Sequence, residues 1–144
     1  MGLKELFLNK GGAGVSMSRR DTVERLNPLL RRAYELLYLW RAAADASDRG
    51  AAERLEAMLK TQRADIGKLA ETVLSCGGAP YNGAGLRDDA PEGAARLQNA
   101  EEGFRALLKD ELKQNHQIRT RAVLNVLADN SDARLDYLRG QKTP

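Results

Sequence analysis

The sequence predicts an all-α protein, a four-helix bundle of two antiparallel helix pairs joined by a long crossover. Three observations predict it. Leu26, Leu30, Ala33, Leu37, Trp40 and Ala44 recur at spacings of 4, 3, 4, 3 and 4. Ala52, Leu55, Leu59, Gln62, Ile66, Leu69, Val73 and Cys76 follow at 3, 4, 3, 4, 3, 4 and 3. Apolar residues at that rhythm line the buried seam of packed helices. Two further stripes lie beyond a gap rich in glycine: Ala94, Leu97, Ala100, Phe104, Leu107 and Leu108, then Thr120, Leu124, Leu127, Ser131, Leu135 and Leu138.

The first helix is expected to open near Asp21. Asp21 and Glu24 have capping-box spacing, with the aspartate free to accept an amide of the first turn. Pro28 removes one backbone bond, so either the helix kinks there or it restarts with Asn27 as cap and Pro28 in first position. It ends near Ser47. The short turn Ser47-Asp48-Arg49-Gly50 sends the second helix back antiparallel. That helix stops at Gly77-Gly78, where a left-handed cap carries no Cβ strain.

Residues 77–90 form the crossover, with Gly77, Gly78, Pro80, Asn82, Gly83 and Gly85. Extended at ~3.3 Å per residue, such a loop reaches ~46 Å, against ~39 Å for a helix of about 26 residues. The third helix therefore starts at the same end as the second, as in bundles with one long crossover. Asp89 and Glu92 repeat the capping spacing, and Pro91 is tolerated in a first turn. A turn is placed near Asp110 to Lys113, where the apolar stripe lapses. A single helix over 91–139 would be ~74 Å long, much of it without a partner. Val123 and Tyr137 support the fourth stripe, and Gly140 ends it.

The domain boundaries follow. Residues 1–18 form an N-terminal arm, 19–140 the bundle and 141–144 a tail. In the arm, Leu3, Leu6, Phe7 and Leu8 cluster before Gly11-Gly12-Ala13-Gly14. It reads as a peptide docking the domain on a larger assembly, as a strap folded onto the bundle, or as an extension upstream of a start at Met17.

The pI near 9.2 does not indicate a nucleic-acid partner. The 23 basic and 20 acidic residues are interspersed along every helix, whereas nucleic-acid binding gathers basic residues on one face. The densest basic run, Lys109, Lys113, His116, Arg119 and Arg121, is interrupted by acids. The single cysteine, Cys76, excludes an internal disulfide and suits a reducing compartment; its stripe position predicts a buried thiol. No apolar run approaches the ~20 residues of a membrane span. The first eight residues lack the pattern of a secretory signal. A cytoplasmic protein is expected.

The segments Asp21-Thr-Val-Glu-Arg-Leu-Asn27, Leu74-Ser-Cys-Gly-Gly-Ala-Pro80 and Asp129-Asn-Ser-Asp-Ala-Arg-Leu-Asp-Tyr-Leu-Arg139 carry a resemblance. The chain resembles the ferritin-like superfamily, in particular small rubrerythrin-related bacterial bundles of unassigned function. The resemblance implies a ferritin-like four-helix fold and raises a di-iron or di-manganese carboxylate site for oxidase or iron-handling work. Such a site takes a Glu from each of two helices and Glu-x-x-His from each of the others. This chain has no Glu-x-x-His, and its one histidine, His116, follows Lys113 by three. The best metal candidates are Glu35, Gln62, Glu101 and Asn130, one near the middle of each helix, with Asp65 beside Gln62. The expected reading is a hydrogen-bonded, buried Gln62 with the carboxylates outside, no catalytic residue and no cofactor. His116 is expected at the surface or at a cap.

Function is then expected to reside in association. Besides its seam, the first helix carries Leu29, Leu36, Tyr38 and Leu39, more apolar surface than one seam buries. A homodimer or larger homo-oligomer, without nucleic acid or membrane, is the expected partner state. The chain is expected not to be an enzyme.

Overall fold

The computed structural model describes residues 15–86 and 93–140. Within them run four helices: α1 (Arg19–Asp45), α2 (Arg49–Ser75), α3 (Gly93–Leu112) and α4 (Ile118–Gly140). Helix α1 packs on α2 and α3, and α4 packs on α3 and, less closely, on α2. The α1/α4 and α2/α3 pairs lie across the diagonals. The fold is the all-α four-helix bundle that the stripes predict.

Helix α1 begins two residues before the capping-box prediction. Ser18 is the N-cap, its side chain accepting the Asp21 amide at 3.1 Å, while Thr22 Oγ1 donates to Ser18 O at 2.8 Å. Asp21 thus lies inside the first turn, where its negative charge suits the helix dipole. The helix runs through Pro28 without restarting. Asn27 is therefore not a cap. Its side chain holds the crossover instead, donating to Ala79 O at 3.1 Å and accepting the Tyr81 amide at 2.9 Å.

From that clamp the crossover climbs α1. The Tyr81 ring meets Tyr34 edge-on at 5.8 Å, and Arg31 stands over Tyr81. Gly83 lies against Tyr34 and Tyr38 at φ +89°, where a Cβ would come within 3.1 Å of the Tyr38 hydroxyl. Only glycine meets both demands there without strain. Asp89, Pro91 and Glu92, the expected opening of α3, lie outside the described residues, as do 1–14 and 141–144.

At the start of the domain the chain is tied down. Met17 N donates to Asn115 O at 2.7 Å, Asn115 Nδ2 to Val15 O at 3.2 Å, and Gln117 Nε2 to Met17 O at 3.2 Å. The last four residues of the arm assigned to 1–18 thus form a strap on the α3–α4 turn, with Met17 buried.

That turn spans 113–117 rather than 110–113. The stripe lapses at Glu111 because this position joins a polar cluster rather than the apolar core. Arg25 donates to Glu111 from Nε at 2.8 Å and from Nη2 at 3.0 Å, and His116 Nε2 lies 2.8 Å from the same carboxylate. His116 is therefore fully buried, against the surface position expected. Burial opposes ionisation of Glu111, but the hydrogen bonds and charges of Arg25 and His116 prevail and hold its carboxyl below the ordinary range.

The core joins Leu26, Leu30, Leu37, Leu59, Leu69, Leu97, Phe104, Leu108, Leu124 and Leu127 with the rest of the apolar interior. Leu29, Leu36 and Leu39 belong to it as well, because α1 has two helix neighbours and buries a face wider than one seam. Tyr38 is half-buried beside the crossover. The apolar excess that motivated self-association is thus satisfied within the chain. Leu107 faces outward, and Cys76, at the C-cap of α2, is half-buried rather than sealed. No described helix is long and apolar enough to cross a membrane. Leu59→Ala and Ile66→Ala are each expected to cost about 2–5 kcal/mol in urea unfolding; costs under about 0.5 kcal/mol for both would contradict their place in the core.

Candidate functional site

Three charged side chains meet inside the bundle, each with no solvent exposure: Asp65 of α2, Glu101 of α3 and Arg134 of α4. Arg134 grips Glu101 with two bonds, Nε to Oε1 at 2.7 Å and Nη2 to Oε2 at 3.2 Å. Its remaining arm, Nη1, donates to Asp65 Oδ2 at 2.9 Å. Trp40 Nε1 of α1 donates to Glu101 Oε1 at 3.0 Å, and Ser131 Oγ to Oε2 at 2.7 Å. Asn130 Nδ2 closes the set on Asp65 Oδ1 at 2.8 Å. Every helix contributes.

The electrostatics follow from the inventory. With both acids ionised, two carboxylates share one guanidinium. Burial pushes the Asp65 carboxyl up, against the attraction of Arg134 and the hydrogen bonds from Asn130 and Arg134; the Glu101 charge adds to the rise. Burial also works against the Arg134 charge, but Glu101 and Asp65 outweigh it and raise its pKa. Because Asp65 is raised in the folded state, its favourable contribution is complete below its unfolded pKa and is lost as pH rises through the folded value. Asp65→Asn should therefore gain on the native protein as pH goes from about 4 to 7. Urea unfolding at both pH values checks this, and an unchanging difference would contradict it.

The sequence candidates separate. Glu101 lies at the heart of the cluster and Asn130 at its edge. Gln62 is buried, as expected, and donates from Nε2 to Ala33 O at 2.8 Å. Its Oε1 has no hydrogen-bond partner among the described residues. Glu35 is not brought in; it pairs with Arg31 and Arg32 on the outer face of α1. Arg134 and Trp40 carry no local signal of a polar role, and Asp65, expected only as a neighbour of Gln62, is a full member of the cluster. The expectation that the carboxylates lie outside is corrected for Glu101 and Asp65, which Arg134 makes tolerable inside. Gln62→Leu is expected to change stability by less than about 1 kcal/mol, because it removes an unpartnered acceptor and leaves Ala33 O its place in the α1 ladder. A loss above about 2 kcal/mol in urea would contradict that reading.

The donor set does not fit a di-metal centre. A carboxylate offers about four acceptor positions, and four donors from Trp40, Ser131 and Arg134 already engage Glu101. A positive guanidinium stands between the two acids. His116 is paired with Glu111 in the α3–α4 turn, and no group of three or more His, Cys, Asp or Glu residues is poised for a metal among the described residues. The arrangement holds the four helices together and fixes the Trp40 indole.

The architecture is ferritin-like. The chain is similar in structure to DpsC from Streptomyces coelicolor, with a TM-score of 0.70 and 19% sequence identity, over 88% of this chain and 87% of that one. At this identity the likeness shows the fold alone. No protein-family model matches the chain, and no curated protein does.

Proposed function

We propose that this chain is a non-catalytic ferritin-like bundle that acts through protein contact, in the first place with copies of itself. Its punctuation motifs resemble those of small rubrerythrin-related bacterial bundles, and its expected setting is the cytoplasm. The observation that carries the reading is the Arg134–Glu101 fork: the middle of the bundle is committed to a structural ion pair. Catalysis or metal handling has no free donor set there, so function falls to the outer surface.

The surface supports association at one end. Among the described residues the three most exposed large apolar side chains are Val15 at 74%, Ile118 at 72% and Leu74 at 60%. They precede α1, open α4 and close α2, which are neighbouring termini at the end where the chain enters. A groove of about 500 Å³ lies at this end, lined by residues of the strap, the first turns of α1 and the α3–α4 turn.

Sedimentation at micromolar concentration is expected to give a dimer or larger species, and Leu74→Lys combined with Ile118→Lys to dissociate it. A monomer throughout would defeat the self-association. Metal analysis of the purified protein tests the other half. Stoichiometric iron or manganese, lost in Glu101→Ala, would restore the di-metal reading in its place.

A further inference from the structure

We infer that Arg134 is the resident cation of this bundle: it does for Glu101 and Asp65 what a bound divalent ion does for carboxylates in a metal-holding interior, and so closes the native centre to such ions. The inference rests on the preceding reading of that centre as metal-free. Three observations lead to it.

One group touches both acids. Nε and Nη2 engage Glu101 while Nη1 engages Asp65. The carboxylates come from two diagonally opposed helices, α3 and α2, and are joined through a third, α4. A flat guanidinium with donors pointing in several directions can bridge two carboxylates.

The acids need that charge. Both are fully buried, and two unscreened carboxylates in one interior cannot both remain ionised without a counter-charge. A cation at this place is thus a requirement of the buried pair, and the chain supplies it covalently.

The oxygen inventory that remains without the guanidinium is also specific. Glu101 Oε1 and Oε2 and Asp65 Oδ2 each lose a donor, with Ser131 Oγ beside Glu101. These are hard oxygen donors with no thiolate or imidazole among them, which suits manganese or magnesium rather than zinc. Shortening Arg134 also leaves room where its side chain was. The variant interior becomes a site for one divalent cation.

The test compares the native chain, Arg134→Ala, and Arg134→Ala combined with Glu101→Gln and Asp65→Asn. Each is melted in manganese chloride and in chelator, and bound manganese is counted after equilibrium dialysis. The native chain is expected to melt identically in both and to retain no ion. Arg134→Ala should gain about 5 °C or more in manganese and retain about one ion per chain, while the triple variant shows neither. If Arg134→Ala folds only in manganese, the inference is equally supported. No manganese response in Arg134→Ala, whether it is folded or unfolded in both solutions, overturns this inference alone. A response that survives in the triple variant also overturns it, since the acids would not be the ligands. Manganese held by the native chain overturns both this inference and the metal-free reading beneath it.

Discussion

Arg134→Met is expected to destabilise the protein by about 3–5 kcal/mol, the cost of breaking a buried ion pair from one side. Methionine fills much of the arginine stem's volume, so the loss comes mainly from the acids left behind. Glu101 keeps Trp40 and Ser131, and Asp65 keeps Asn130, but neither keeps a positive partner. Adding Glu101→Gln and Asp65→Asn to Arg134→Met should recover part of the loss, because the buried negative charges go with their counter-ion. Urea unfolding of the single and triple variants measures both steps. A single-variant cost below about 1 kcal/mol would mean that the network contributes no more than an exposed ion pair.

Trp40→Ala is expected to cost a comparable amount, about 3–5 kcal/mol, for a different reason. Trp40 has no exposed surface, and its ring lies 6.3 Å from that of Tyr137. Truncation removes that packing and leaves a void beside the charged cluster. Trp40→Phe isolates the polar part. It keeps most of the ring and deletes the Nε1 donor to Glu101, and should cost about 1–3 kcal/mol. If alanine and phenylalanine cost the same in urea unfolding, the hydrogen bond outweighs the packing and the core assignment of Trp40 needs revision.

The helices were legible because burial writes itself into sequence as a period. The α1 and α2 stripes hold nearly residue for residue, and Gly77 takes the left-handed conformation, at φ +84°, that its position after α2 suggested. What escaped was polar and buried. The α4 rhythm 120, 124, 127, 131 continues at 134, whereas the apolar stripe continues at Leu135, so the pattern of apolar residues alone does not single out Arg134. Both are buried. The partners that make Arg134 tolerable inside lie 33 and 69 residues away in the chain, beyond any local pattern. The same holds at the end of α3: the apolar stripe lapses at Glu111, which forms a packed pair with His116 and is held by Arg25. Where a charged residue falls on the beat of an apolar stripe, the beat is the better guide, and its partner is to be sought among charged residues beside the beats of other stripes. Asp65 lies just off the α2 seam and Glu101 one residue from Ala100 on that of α3, which is how near the sequence came to the cluster.

The uneven closeness of the four helix contacts bears on how the molecule breathes. Helix α1 has close neighbours on two sides and the crossover laid along it, so its amides are expected to be the most protected. The α2–α4 side is the loosest joint, and Asp65 with Arg134 and Asn130 is its polar clasp. Sub-global opening is expected to start there, with α4 swinging on α3 as a door on its hinge while the α1–α2 hairpin stays folded, and amide hydrogen exchange faster in α4 than in α1 is the measurement that checks it. In this protein the latch of that door is an ion pair, so the gap that admits solvent to the interior is governed by electrostatics rather than by oil.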